Sequence, residues 1–247
     1  MKLESGFIAG ITLIVSGCGI RDGAPGQPSP DSQVTRPDKV TSFAVLFGAN
    51  CAGCHGGEGK GGAAQSLGDP LYLAIADDAT IRRVVRNGVP GTPMPAFAQS
   101  AGGMLADQQI DAIVTGIRAR WAKPDGARGV ELPPYAAHDG GDAKRGAGVY
   151  STYCASCHGV SGEGSDRASS IVDGSYLALV SNQSLRTTVI VGRPESGAPD
   201  FRGNAPGKPM SAADVSDVVA WLAAQRPEIA GQPYPNPAAR TAVGVRQ

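Results

Sequence analysis

Four of the five cysteines occur in two copies of one short motif, and a histidine directly follows each copy. The two copies are Cys51, Cys54 and His55, then Cys154, Cys157 and His158. Two thiols separated by two residues can form a redox dithiol, supply half of a zinc site, or bind a haem covalently. The histidine after each pair helps to choose among these three chemistries.

That histidine favours covalent haem attachment. In this pattern each thiol adds to a haem vinyl group, and the histidine offers a ring nitrogen to the iron. A redox dithiol does not require the histidine, and one zinc site made from all four thiols would leave both histidines without a role. We therefore predict two covalently bound haem c groups, with His55 and His158 as iron ligands.

The composition places limits on the fold and on the partners. Lysine plus arginine and aspartate plus glutamate both number 22, so the formal net charge is zero. A nucleic-acid surface needs a basic excess, and we expect no nucleic-acid partner. Aromatic residues make up only 5% of the chain, against 35 glycines and 19 prolines. The cores therefore have few large side chains, and a cofactor with its own apolar surface would fill that gap.

The fifth cysteine, Cys18, follows an apolar segment near the start of the chain. Residues 7–15 are too few to span a bilayer as a helix, but they suit the apolar region of a signal peptide. The two small residues before Cys18 resemble a bacterial lipoprotein cleavage site. We predict a signal peptide over 1–17, lipidation of Cys18, and a flexible tether over 18–39. An ordinary secretory signal that is cut nearby is the alternative.

The rest of the chain divides into two similar blocks and two irregular segments. We place the blocks at 40–123 and 143–226, the linker at 124–142 and the tail at 227–247. Each block begins with a helix-like stretch that carries the cysteine motif near its end, and each ends with the apolar spacing of an amphipathic helix. Ser211 and Asp214 form a capping pattern at the start of the second of these helices.

The haem motifs and the helix pattern together resemble a tandem of two small class I cytochrome c domains, as in the di-haem cytochromes c. The resemblance covers about 40–226. It implies an all-α fold in which the N- and C-terminal helices of each domain cross near the haem. The residues that would make this crossing are Phe47 or Tyr150 against Trp121 or Trp221.

Few side chains remain that could bind the other side of each iron. Met94 lies in Gly-Thr-Pro-Met-Pro-Ala-Phe, which matches the Met-Pro-x-Phe loop of that family, and we predict Met94 as the second protein ligand of the first haem. Ligation by methionine and histidine raises the potential of the iron. Met104 is the competitor, and we expect it to fill the core. His138, in the linker, is expected to be solvated.

The second block departs from this pattern. When 88–97 is aligned without gaps to 192–201, Met94 falls on Ala198, which has no sulfur. The remaining candidate is Met210, which has a proline before it and a predicted helix after it, and we predict that it binds the second haem. The alternative is that Met210 only packs and that the second haem has an open or water-bound face.

These features predict an electron carrier rather than an enzyme. A haem with two protein ligands has no open position for a substrate and changes oxidation state with little reorganisation. We expect a lipid-anchored di-haem cytochrome c on the periplasmic side of the cytoplasmic membrane, or else a soluble periplasmic one. Its redox partners would be a quinol-oxidising complex, a dehydrogenase or a terminal oxidase.

Two other functions stay open. If Ala198 leaves the second haem open, that haem could be the catalytic site of a peroxidase-like di-haem enzyme. Alternatively, the chain could be the cytochrome subunit of a dehydrogenase complex whose catalysis lies on another chain.

Overall fold

The computed structural model describes residues 34–123, 127, 129, 131–203, 205 and 207–227. Our predictions for the signal peptide, Cys18, most of the tether and nearly all of the tail lie outside these residues. From Pro37 onward the described chain belongs to one compact unit. The helices are α1 (Phe43–Asn50), α2 (Ala52–His55), α3 (Pro70–Ile75), α4 (Asp78–Asn87), α5 (Asp107–Trp121), α6 (Ala143–Tyr153), α7 (Ala155–His158), α8 (Gly174–Leu179), α9 (Asn182–Val191) and α10 (Ala212–Ala224).

The second five helices repeat the order of the first five, so the sequence repeat is also a structural repeat. The described residues form helices, turns and isolated bridges but no strand, which confirms the predicted all-α fold. Buried apolar residues from both repeats belong to one continuous cluster. None of the helices within the described ranges is long and apolar enough to span a membrane.

The predicted crossing of the N- and C-terminal helices is present in both repeats. Phe47 of α1 packs edge-on against Trp121 of α5, with the ring centroids 5.0 Å apart. Tyr150 of α6 stacks on Trp221 of α10, with the centroids 4.2 Å apart. These aromatic pairs connect the start and the end of each repeat, beside the cysteine motif that follows α1 or α6.

Each crossing also depends on a glycine, but the glycine lies on a different helix in each repeat. A Cβ on Gly116 of α5 would lie 2.2 Å from the ring of Phe43 in α1. A Cβ on Gly146 of α6 would lie 2.0 Å from the backbone oxygen of Asp217 in α10 and 2.8 Å from the Cβ of Trp221. Phe43 and Gly146 occupy the same position relative to their cysteine motifs. In the first repeat the glycine lies on the C-terminal helix and the large side chain on the N-terminal helix. In the second repeat this arrangement is reversed.

Side-chain caps set where the C-terminal helices begin. Ser211 Oγ accepts a hydrogen bond from the N–H of Asp214 at 3.1 Å, and the Asp214 carboxylate accepts one from the N–H of Ser211 at 2.9 Å. This confirms the predicted cap of α10. At the start of α5, the side chain of Gln109 accepts from the N–H of Ala106 at 3.0 Å. Both helices therefore start at a defined point after the preceding loop.

In each repeat, one arginine donates hydrogen bonds to the turn between the two middle helices. Arg118 of α5 donates hydrogen bonds to two backbone carbonyls at the end of α3. Arg226, which follows α10, donates to two backbone carbonyls at the end of α8, at 3.0 and 2.8 Å. Because buried carbonyls need hydrogen-bond donors, these arginines fix the turns that lead into α4 and α9.

The described part of the linker packs against the second repeat. Arg186 of α9 is buried and donates to the carbonyl oxygens of Pro134 at 3.0 Å and Tyr135 at 3.2 Å. Gln183, one turn earlier, also donates to the Tyr135 carbonyl, at 2.8 Å. Linker residues near 134 and 135 are therefore held against α9 by side chains that reach their backbone.

Candidate haem-binding sites

Each cysteine motif lies on a short helix that begins directly after the N-terminal helix of its repeat. The N–H of Cys51 donates to the carbonyl of Phe47 at 2.8 Å, and the Cys51 carbonyl accepts from the N–H of His55 at 3.0 Å. Cys154 makes the same two backbone bonds at 2.8 and 3.0 Å. One helical turn therefore carries both thiols and the histidine in each repeat.

The environment of the thiols argues against the redox and zinc alternatives. The described cysteines are free thiols, and burial raises the pKa of Cys51 and of Cys154 to about 11. Reactive dithiols have lowered thiol pKa values instead. Within the described part of the chain, no group of three histidine, cysteine, aspartate or glutamate side chains could hold a metal ion. The four thiols therefore do not meet at one zinc site.

Both motif histidines are oriented by a backbone carbonyl. Nδ1 of His55 lies 2.7 Å from the carbonyl oxygen of Gln65, and Nδ1 of His158 lies 2.8 Å from that of Ser169. Since a carbonyl only accepts, each Nδ1 carries the proton and each Nε2 has a lone pair for iron. Burial also lowers the pKa of His55, which favours its neutral form. This donor set fits a haem iron in both repeats.

Met94 and Ala198 occupy the same place in the loops that follow α4 and α9. These helices end at Gly88 and Gly192, whose φ angles of 65° and 70° turn the chain in the same way. Met94 and Ala198 are both half-buried, and each is followed by a proline. The structure therefore supports the gap-free alignment of 88–97 with 192–201, in which Ala198 stands at the position of Met94.

The other two methionines are placed differently. Met104 is 76% exposed, so the expectation that it fills the core was wrong. The turn before it, at 99–101, carries it out to the surface. Met210 is only 2% exposed and packs in the main apolar cluster. Iron ligation by Met94 and by Met210 stays a prediction, while His138 is exposed as expected.

The loop after α9 also contacts the segment 62–66, which follows the first cysteine motif. Arg193 donates hydrogen bonds to the backbone carbonyls of Gly62 and Ala63, the latter at 3.1 Å. Ser66 Oγ donates to the carboxylate of Glu195 at 2.8 Å. Gly62, Ala63 and Ser66 lie around Gln65, whose carbonyl orients the His55 ring. The loop that contains Ala198 is therefore joined to the loop that orients His55, the predicted ligand of the first iron.

Sequence reasoning missed these supporting residues for physical reasons. Gln65 and Ser169 act through their carbonyl oxygens, so their side-chain types give no signal. Arg193 and Glu195 are ordinary surface residue types whose partners lie in the other repeat. A signal was available for the two crossing glycines, Gly116 and Gly146, because each stands inside a predicted helix, where glycine costs about 1 kcal/mol relative to alanine.

Comparison with known proteins agrees with this geometry. A family model described as cytochrome c oxidase, cbb3-type, subunit III matches residues 38–115 and 141–222, one segment in each repeat. The cbb3-type cytochrome c oxidase subunit CcoP of Azospirillum sp. (strain B510) is 31% identical over 129 residues, which are 48% of this chain and 38% of that protein. These matches confirm the predicted relationship to the di-haem cytochromes c.

Two further relatives cover more of the chain. The cytochrome bc1 complex cytochrome c subunit of Mycobacterium tuberculosis (strain ATCC 25618 / H37Rv) is 25% identical over 205 residues, 77% of this chain and 67% of that one. The cbb3-type cytochrome c oxidase subunit FixP of Azorhizobium caulinodans is 28% identical over 159 residues, 60% of this chain and 49% of that one. The chain thus spans well under two thirds of either oxidase subunit.

Proposed function

This chain belongs to the family described as cytochrome c oxidase, cbb3-type, subunit III, and we propose that it is a di-haem electron carrier between respiratory protein partners. The observation that carries the proposal is the paired geometry of His55 and His158. Each ring is held by a carbonyl at Nδ1 and has Nε2 available, next to two free thiols. Haem c supplies one-electron redox chemistry when bound, and the chain attaches and orients it.

The contact between the repeats supports transfer within the chain. Arg193 and Glu195 tie the loop after α9 to the segment around Gln65, and the apolar core is continuous across both repeats. The two histidine sites are therefore held by one packed unit rather than by separate bodies on a flexible linker. Haems held by His55 and His158 in this fixed arrangement would exchange electrons without a docking step between the repeats.

The partners are proposed from the names of the relatives and from the surface of the chain. Relatives are subunits of a cbb3-type oxidase and of a cytochrome bc1 complex, so we propose a quinol-oxidising complex as donor and a terminal oxidase as acceptor. A dehydrogenase is a further possible donor. Acidic and basic residues balance, and Val160, two residues after His158, is 87% exposed. We therefore propose that docking has little electrostatic steering and that Val160 is one apolar contact beside the second motif.

Electron transfer through the chain is testable with the purified holoprotein. We expect a quinol-oxidising complex with quinol to reduce both haems, and a terminal oxidase in air to reoxidise them. The rates should change only a few fold between low and high salt, because opposite charges do not dominate docking. Haems that are reduced by dithionite but stay oxidised in the presence of donor complex and quinol would contradict the proposal.

We further propose that the chain is held at the periplasmic side of the cytoplasmic membrane by a lipid on Cys18. The support is the sequence alone, an apolar segment that ends in small residues before Cys18. Labelled fatty acid should enter the wild-type protein, and Cys18→Ser should prevent this and move the protein from the membrane to the soluble fraction. Membrane association that is unchanged in Cys18→Ser would contradict the anchor.

One observation favours a second candidate function. Ala198 stands where the first repeat has Met94, so the second haem could meet a substrate as in a peroxidase-like enzyme. Peroxide consumption by the reduced holoprotein, lost when Cys154 and Cys157 are replaced, would favour the enzyme. Its absence would favour the carrier, either free or as the cytochrome subunit of a larger complex.

A further inference from the structure

The loops after α4 and α9 share one backbone arrangement. The N–H of Val89 donates to the carbonyl of Met94 at 3.0 Å. The N–H of Arg193 donates to the carbonyl of Ala198 at 2.9 Å. In each loop a Cβ on the preceding glycine would lie 2.7 Å from that same carbonyl oxygen. Ala198 therefore has the backbone position of Met94, with a methyl group in place of a thioether side chain.

Met210 has the position of a leucine in the first repeat. The N–H of Leu105 donates to the carbonyl of Phe97 at 2.7 Å, and the N–H of Met210 donates to that of Phe201 at 2.9 Å. Both residues directly precede the cap of the C-terminal helix, and they are 5% and 2% exposed in the same apolar cluster. Leucine has no atom that binds iron, so this position serves packing in the first repeat. Because Met210 has the same placement as Leu105, it serves packing in the second repeat.

The polar side chains near Ala198 have other partners. Arg193 donates to backbone carbonyls of the first repeat, and Glu195 accepts from Ser66 at 2.8 Å. His138, the histidine outside the two motifs, is exposed in the linker. None of these three side chains therefore replaces the missing sulfur.

We propose that a haem held by Cys154, Cys157 and His158 would lack a sulfur ligand at Ala198 and would bind a small neutral diatomic ligand in its place, whereas Met94 would supply that sulfur in the first repeat. The inference rests on the proposed di-haem assignment and refines it. Alanine lacks the last three heavy atoms of a methionine side chain, which leaves room for two atoms. Because a methyl group offers no hydrogen bond to a charged ligand, a neutral molecule such as carbon monoxide is favoured over an anion.

Carbon monoxide binding to the dithionite-reduced holoprotein tests this inference. We expect one carbon monoxide per chain, measured by absorption difference spectra against the haem content. The ferric protein should show the absorption band of methionine ligation for one haem only. No carbon monoxide binding in a chain with two haems, or methionine-type absorption from both haems, would overturn the inference.

Matched variants identify which residues make the two haems differ in carbon monoxide binding. Ala198→Met should supply the missing sulfur and lower carbon monoxide binding at least tenfold. Met94→Ala should raise it from one to two per chain. Met210→Leu places in the second repeat the residue that the first repeat already tolerates, and it should leave binding at one per chain. If the parent binds none and Met210→Leu binds one, Met210 is the ligand and the inference is wrong.

The haem content separates failure of the inference from failure of the proposed function. A chain with fewer than two covalent haems contradicts the di-haem assignment itself. A chain with two haems and no carbon monoxide binding keeps the electron-carrier proposal and overturns only the open position.

Discussion

Replacement of Cys154 and Cys157 together by alanine is expected to halve the haem content and to unfold α6–α10. Without either thioether, His158 alone would have to hold the second haem. Cys154 packs against the main apolar cluster, so the haem that it binds extends this core. Aromatic residues are only 5% of the chain, and other large side chains cannot compensate. Haem-specific absorption and limited proteolysis measure the two effects.

The matched control is the double replacement of Cys51 and Cys54 by alanine. It should also remove one haem, but it should spare the carbon monoxide binding that we assign to the second repeat and abolish the methionine-type absorption. A Cys154→Ala/Cys157→Ala chain that kept two attached haems and resisted proteolysis throughout α6–α10 would contradict our assignment of the second motif.

Gly146→Ala is expected to destabilise the holoprotein by about 1–2 kcal/mol, because overpacking at a helix contact forces the backbones apart. The added Cβ would lie 2.0 Å from the backbone oxygen of Asp217, an atom that cannot rotate away. The gain in helix propensity, about 1 kcal/mol for glycine to alanine, offsets only part of this loss. Chemical denaturation of the holoprotein measures the change in the free energy of unfolding.

Gly148 supplies the control on the same helix. A Cβ there meets nothing within 4 Å, and the residue is exposed. Gly148→Ala should therefore stabilise the protein by up to about 1 kcal/mol through helix propensity alone. Opposite signs for the two substitutions identify the close crossing of α6 and α10. Equal effects at Gly146 and Gly148 would show that the crossing does not depend on a small residue.

The elements nearest to the haem motifs were predictable because their residues act locally or in fixed patterns. The sequence predicted one helical stretch that carries each cysteine motif near its end, and the structure divides each stretch at the first cysteine into α1 and α2 or α6 and α7. The cap formed by Ser211 and Asp214 lies within one turn, so its sequence pattern was enough. The crossing of Phe47 with Trp121 and of Tyr150 with Trp221 followed from the resemblance, which supplied the long-range contact.

Residues that have the same role in the two repeats, but stand at different positions, were not predictable from the sequence. Arg118 lies within α5, whereas Arg226 follows α10, yet both brace the end of a middle helix. Similarly, the small residue of the crossing is Gly116 on the C-terminal helix in one repeat and Gly146 on the N-terminal helix in the other. An alignment compares the same position in each repeat, so it cannot show that a partner on another element has changed to compensate.

Met210 and Leu105 are structurally equivalent, but a difference in loop length hides this equivalence in the sequence. Eight residues separate Phe201 from Met210, and seven separate Phe97 from Leu105, so alignment by sequence position alone does not pair the methionine with the leucine. The backbone bonds to the two phenylalanines restore the pairing. Sequence reasoning counted the available methionines and selected Met210 because no other remained.

The most direct test of the central claim is the number of covalent haem c groups on the full chain, matured in a host with the c-type attachment system. The alkaline pyridine spectrum, measured against protein concentration, should give two haems per chain, and the mass of the denatured protein should rise by two haem groups. One haem or none would contradict a di-haem electron carrier, whatever the ligands of either iron.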